Sequence, residues 1–151
     1  MLVAGKGKLK ENRVNILEPE NSGLSFILNP CDMNLSFLKE NKGLLPVISK
    51  RWNQVQNDIK LWATDPSKYK LGNTHTTCVQ STVWVINFLC LKDSSLDDKS
   101  LVIALKKIAD QAKYEGASIH VSQSAIDMTP ALKDNLKIFL DKGLNVLVYK
   151  N

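Results

Sequence analysis

Hydrophobic side chains along this chain keep two rhythms, and residues 100–127 show both. Leu101, Leu105, Ile108 and Ala112 fall on one helical face, with Lys106, Lys107, Asp110 and Lys113 around the remainder. Gly116 supplies the left-handed residue that ends such a helix. Residues 117–121 are too short and too β-branched for another helix and predict a strand. Residues 122–127 follow as a polar loop at its carboxyl end. Open α/β sheets gather ligands at the carboxyl ends of strands, so this loop is the first candidate for a site.

The same two rhythms place the other elements. Gly5 and Gly7 break any helix near the start, and residues 14–17 fit a short edge strand. Asn21, Ser22 and Gly23 signal a turn. Residues 24–28 (LSFIL) are continuously apolar, the mark of a strand buried on both faces, and Pro30 is expected to end it. A second strand-end loop then spans 29–43. Pro46 suits a first helical turn; Ile48, Trp52, Val55, Ile59 and Trp62 recur at spacings of four, three, four and three, predicting one helix closed by Asp65-Pro66. Residues 74–79 and 82–91 form a hairpin around Gln80-Ser81, the second strand apolar enough to be central. Residues 93–98 make a polar connection rich in helix caps. Thr129-Pro130 opens a last helix that buries Leu132, Leu136, Phe139 and Leu140; Gly143 stops it, and 146–149 is a final strand. The sum is an α/β fold with a mixed sheet and helices over its faces.

Composition narrows the class. A chain of 151 residues is expected to make a single domain, 1–151, with a real core. No run approaches the roughly 20 apolar residues of a membrane span, and the start lacks a signal-peptide core, so no membrane partner and a cytoplasmic location in the producing or host cell are expected. Cys31, Cys78 and Cys90 are odd in number and far apart, which fits neither a disulfide framework nor a zinc site; each is expected as a small buried hydrophobe. No metal or cofactor is implied. His120 alternates with Ile119 and Val121 and is expected as a hydrogen-bonded structural imidazole. The net charge of +5 comes from scattered lysines, a solvated surface that also permits attraction to phosphate-bearing ligands.

Several short motifs, taken in order, resemble the macro domain, in particular its compact branch that removes ADP-ribose from proteins or DNA, or phosphate from ADP-ribose 1''-phosphate. Lys6-Gly7-Lys8-Leu9 resembles the opening K-G-D-I/L, and Asn29-Pro30-Cys31 the N-x-x-N/C strand end. Asn41-Lys42-Gly43-Leu44 with Ser49-Lys50-Arg51-Trp52 is similar to G-K-G-L and the K-K-R-F helix. Leu71-Gly72-Asn73 resembles L-G-D/K-V, and 84–88 the W-V-I-N-F strand; residues 104–121 resemble the alanine-rich helix and the strand after it. The likeness covers most of the chain. It implies a three-layer α/β/α macro-like fold with a mixed central sheet of about six strands.

The resemblance also implies a site made by two strand-end loops, one at the distal ribose and one around the diphosphate. Carried over by motif, the ligand-binding positions are Lys8, Asn29, Cys31, Asn34, Gly43, Leu44, Asn87, Ser122, Gln123, Ser124 and Ala125. Lys8 stands where the family pattern has an adenine-reading aspartate; of G-x-G only Gly43 remains, and the second loop has no glycine. Lys92 and Asp127 fall near the lysine nucleophile and the acid of one member, an amine and a carboxylate that would suit attack at an anomeric carbon with proton transfer. Lys92-Asp93 is equally an ordinary strand-end turn, and Asp127 a helix cap. The expected function is binding of ADP-ribose or a related NAD-derived nucleotide by a monomer. The alternatives are hydrolysis or dephosphorylation through Lys92 and Asp127 on an ADP-ribosylated macromolecule or ADP-ribose phosphate, and a degenerate fold that works through a protein partner or sequesters a nucleotide signal.

Overall fold

The protein is described from a computed structural model, which covers residues 6–20 and 23–151. Gly5 and the Asn21-Ser22 turn lie outside the described residues. Seven strands form one mixed sheet: β1 (Leu9–Arg13), β2 (Ser25–Asp32), β3 (Thr74–Gln80), β4 (Val83–Lys92), β5 (Ser95–Leu96), β6 (Ser118–Ser122) and β7 (Val146–Tyr149). Their order is β1-β7-β6-β2-β4-β3, with the two-residue β5 folded back on β4. The β1–β7, β7–β6, β6–β2 and β2–β4 pairs are parallel, while β3 and β5 run antiparallel to β4.

Every residue of β2 is buried, as its apolar run predicts, so both faces of the sheet are covered. The strand does not stop at Pro30 but continues to Asp32. Ser25 donates its amide to Thr82 on the β4 side, so alternation turns the Pro30 nitrogen toward β6. The β6 pairing ends at Ile27, and the missing N–H therefore breaks no ladder bond. At the start of the chain the strand is β1 rather than 14–17; Ile16 still plugs the core from a non-strand segment.

Among the described residues six α-helices and one 3-10 helix (Leu35–Lys39) alternate with the strands. α1 (Leu45–Ser49) and α2 (Gln54–Trp62) divide what the apolar spacing predicts as one helix. The amides of Arg51 and Val55 bond three residues back rather than four, tightening the chain between the two. The stripe survives the break, with Ile48, Trp52, Val55, Ile59 and Trp62 all buried. α3 (Asp98–Glu115) matches its pattern: seven of its residues are buried, and Gly116 closes it at φ 70°. The expected last helix is also two pieces, α5 (Ala131–Asp134) and α6 (Lys137–Asp141), parted at Asn135. α3 and α6 pack together on one face, where right-handed crossovers from β4 to β6 to β7 put them. α2 lies on the other face, its Asp58 reaching His75 and Thr77 of β3.

The loop expected at 122–127 is instead helix α4 (Gln123–Met128). Ser122 is its cap, accepting the Ala125 amide at 2.9 Å, while the Ser124 amide goes to the Asn151 carbonyl. Polar residues there satisfy the helix start, which is why they imitate a loop in the sequence.

Candidate ligand-binding site

At the carboxyl ends of β2 and β4 lies a narrow crevice of about 140 Å³, between the segment after β2 and the helix after β6. Asp32, Phe37, Glu40 and Lys42 line one side; Leu91 and Ser94 the back; Asp127 and Met128 the other side. Its centre is Asp32, which is only 3 % exposed. One carboxylate oxygen accepts the amides of Asn34 at 2.8 Å and Asp93 at 3.0 Å, and the other accepts that of Ser94 at 2.7 Å. Its carbonyl accepts the Tyr69 hydroxyl at 2.7 Å. Asp93 and Ser94 form the two-residue turn between β4 and β5, both at positive φ (50° and 66°), as a tight hairpin matched to strand twist requires. Successive amides in such a turn point into one concavity that suits an anion. Here the chain's own carboxylate occupies it.

Gly43 closes the mouth. Its φ is +76°, which L side chains rarely adopt, and a Cβ at this position would stand 2.5 Å from the Met128 sulfur, so any larger residue would strain the backbone and push the Met128 side chain aside. Charge in the crevice is mostly negative: Asp32, Glu40 and Asp127 face Lys42, which pairs with Glu40 at 3.2 Å. Asp127 is exposed and accepts a 2.8 Å bond from Gln123.

Of the candidate residues, Asp127 lines the crevice, Gly43 shapes its mouth, and Asn34 reaches the adjoining turn through a 2.9 Å bond to the Asp93 carboxylate. Lys92 is exposed at the end of β4, outside the crevice lining, so the amine and carboxylate do not share that wall. Leu44 and Ala125 are core residues, Ser122 is a buried cap, and Gln123 and Ser124 sit in the first turn of α4. Lys8 stands at the other edge of the sheet. Its amide bonds Asn145 before β7, and its side chain borders a hollow with Lys10, Glu20 and Ser118. A hollow of about 460 Å³ lies at the amino ends of β2, β6 and β7, beside the carboxyl ends of α3 and α6. Three glycines, Gly23, Gly116 and Gly143, border it together with Lys113, Ser118 and Asn145.

Asn29 and Asn87 are fully buried and bonded to each other at 2.8 Å. Asn87 donates on to Thr77, whose hydroxyl donates to Asp58, and the same carboxylate oxygen holds His75 at 2.8 Å. These amides knit β2, β4, β3 and α2 together and are not among the residues that line the crevice, and the buried Asn29 side-chain oxygen has no hydrogen-bond partner among the described residues. Cys31 is buried against the Asn29 carbonyl, and burial pushes its thiol well up; burial likewise raises Cys90 to about 12. Neither is a nucleophile at neutral pH. Cys78, expected inside, is exposed on β3.

Sequence reasoning did not single out Asp32, Glu40 or Met128. Asp32 had a local signal: an aspartate two residues before Asn34 at a strand end makes the Asx turn seen here.

No protein-family model matches the sequence, and no curated protein does. Solved structures do. A macrodomain protein from Streptomyces coelicolor superposes with a TM-score of 0.80 at 23% identity over 95% of this chain and 99% of that one. A protein from Bacteroides thetaiotaomicron gives 0.84 at 18% identity over 94% and 99%. A tomato leucine aminopeptidase mutant gives 0.61 at 13%, this chain spanning 34% of that enzyme. The chain therefore has the macro-domain fold, a mixed seven-stranded sheet between helices. No helix among the described residues is long and apolar enough to cross a membrane.

Proposed function

We propose that the protein binds ADP-ribose or a related NAD-derived nucleotide in the crevice between the segment after β2 and helix α4. The observation that carries this reading is position. In a macro-type sheet the crevice opens at the carboxyl ends of the parallel strands β2 and β4, where open α/β sheets hold ligands. At about 140 Å³ it is smaller than the roughly 300–1,000 Å³ of drug-sized sites, so entry requires the Gly43 wall to move off Met128. The carboxylates of Glu40 and Asp127 accept ribose hydroxyls and repel phosphate oxygens, which favours a sugar end over a phosphorylated one.

Calorimetric titration with ADP-ribose, its 1''-phosphate and cyclic relatives tests the reading. Saturable heat with ADP-ribose, weaker with the 1''-phosphate, is expected; no heat with any of them at millimolar ligand sinks it in favour of a protein partner. Asp127 is the one candidate catalytic group on the crevice wall. Equal release of ADP-ribose from a modified substrate by the wild type and Asp127→Ala would remove it as an acid.

A further inference from the structure

A second concave site lies at the amino ends of the parallel strands, opposite the crevice. β1 pairs with β7 and β7 with β6, which sets Lys10 beside Leu147 and Leu147 beside His120. Two residues earlier, on the same face, alternation sets Lys8 beside Asn145 and Asn145 beside Ser118. Lys8, Lys10, Asn145, Leu147 and Ser118, with Glu20 from the segment before β2, line a hollow of about 260 Å³.

The polar groups that converge there are mainly donors. The Asn145 side-chain oxygen accepts the Lys8 amide at 3.0 Å, which leaves its NH2 to donate. Neither Lys8 nor Lys10 has a carboxylate within 4.0 Å among the described residues, whereas Lys6, Lys133 and Lys142 each pair with one. The one carboxylate on the wall, that of Glu20, pairs with Arg13 at 3.7 Å. Floor and wall are tied together from beneath. Buried His120 meets the Ser118 hydroxyl at 2.7 Å and the Tyr149 hydroxyl at 2.8 Å, and the Glu20 amide donates to that same tyrosine. Two ammonium groups and an amide NH2 over a fixed floor suit a ligand that only accepts, an anion.

We propose that this hollow binds a small phosphomonoester, its phosphate held by Lys8, Lys10 and the Asn145 NH2. Two ammonium groups at alternate positions match the nearly two negative charges such a phosphate carries at neutral pH. A carboxylate, with one charge, leaves one ammonium unmatched. The body of the ester extends into the adjoining hollow of about 460 Å³, which shares Ser118 and Asn145. The carboxyl end of α3 stands beside that second hollow, and the negative end of a helix dipole repels phosphate and favours hydroxyl donors. Lys113 of its wall already donates to the Lys142 carbonyl at 3.0 Å. The ligand therefore lies with its phosphate toward β1 and its hydroxyls toward α3. The site is separate from the crevice, and the proposal is independent of what the crevice binds.

Titration of nitrogen-15-labelled protein with ribose 5-phosphate at low ionic strength tests it. Saturable shifts of the Lys8, Lys10, Ser118 and Asn145 amide signals are expected, with those of Asp32 and Ser94 unmoved and the affinity falling as salt is raised. Lys8 and Lys10 are exposed, so truncating either leaves the fold intact. Lys8→Ala and Lys10→Ala should each weaken binding about tenfold, as loss of one charge-assisted hydrogen bond does, while Lys10→Arg should keep it. Ribose without its phosphate should move none of these signals, and acetate should bind more weakly. Shifts that fail to saturate at millimolar ligand overturn the proposal. So do shifts as large with ribose alone, acetate binding as tightly as the ester, or a Lys8→Ala, Lys10→Ala double variant that binds like the wild type.

Discussion

Removing the Asp32 carboxylate would orphan three backbone amides at once, those of Asn34, Asp93 and Ser94. Bonds to an ionised acceptor contribute about 1.5–3 kcal/mol each when buried, but these amides lie close enough to solvent to find water. Asp32→Ala is therefore expected to cost about 2 kcal/mol in urea unfolding, and Asp32→Asn, which keeps one acceptor oxygen, about half that. An effect near zero for Ala would show that the β4–β5 turn holds its shape unaided. The residue scale is also where motif matching misleads most. Asn29 and Asn87 have the right identity and the right strands, yet the Asn29 amide donates to Asn87 and that of Asn87 to Thr77, while the buried Asn29 side-chain oxygen keeps no hydrogen-bond partner among the described residues. Identity and spacing do not say which face of a strand a side chain serves, because that depends on what packs opposite.

Elements were more legible than their ends. The strand after Gly116, the 74–92 hairpin and α3 follow from periodicity with boundaries off by a residue or two, since long patterned segments leave little choice. Two of the misses share a cause. Ser122 caps α4, and the turn at Asp93 and Ser94 folds β5 back, so polar residues that resemble loops instead serve neighbouring elements. Contact between the β2 segment and α4 leads to a prediction at this scale. Gly43→Ala adds a methyl at φ +76° against the Met128 sulfur, and a loss of about 1–2 kcal/mol is expected. Pairing it with Met128→Ala should relieve the collision but not the backbone strain, giving a coupling of at least about 0.5 kcal/mol in a double-mutant cycle. Strict additivity would mean that the two walls do not touch in solution.

At the scale of the whole molecule, His120 ties three parts of the chain together. It is buried in β6, bonded to Ser118 at 2.7 Å and to the Tyr149 hydroxyl of β7 at 2.8 Å, and that hydroxyl accepts the Glu20 amide. Burial lowers its pKa from 6.5 to about 4, so the native state holds the neutral ring where the unfolded chain would take a proton. Stability is then full above pH 6.5 and falls as pH drops toward 4, by about 3 kcal/mol over that window. Urea unfolding at pH 7.5, 5.5 and 4.5 should show the decline, and His120→Gln should flatten it. An equal slope in the variant would assign the acid sensitivity to other groups. The alternation of His120 with Ile119 and Val121 made its structural role readable in the sequence. Its partner on β7 was not, because residues 29 apart meet only through the sheet's strand order.

The carboxylate of Asp32 gives the crevice a resident competitor. An incoming anion would contend not with water alone but with a group tethered to the same strand, at an effective concentration fixed by the chain and not by the cell. An anion could bind there only through the amides that hold the β4–β5 turn rigid. A lineage of variants could strengthen such binding only by loosening the turn, and the neutral, hydroxyl-bearing end of a ligand is the part that escapes the contest.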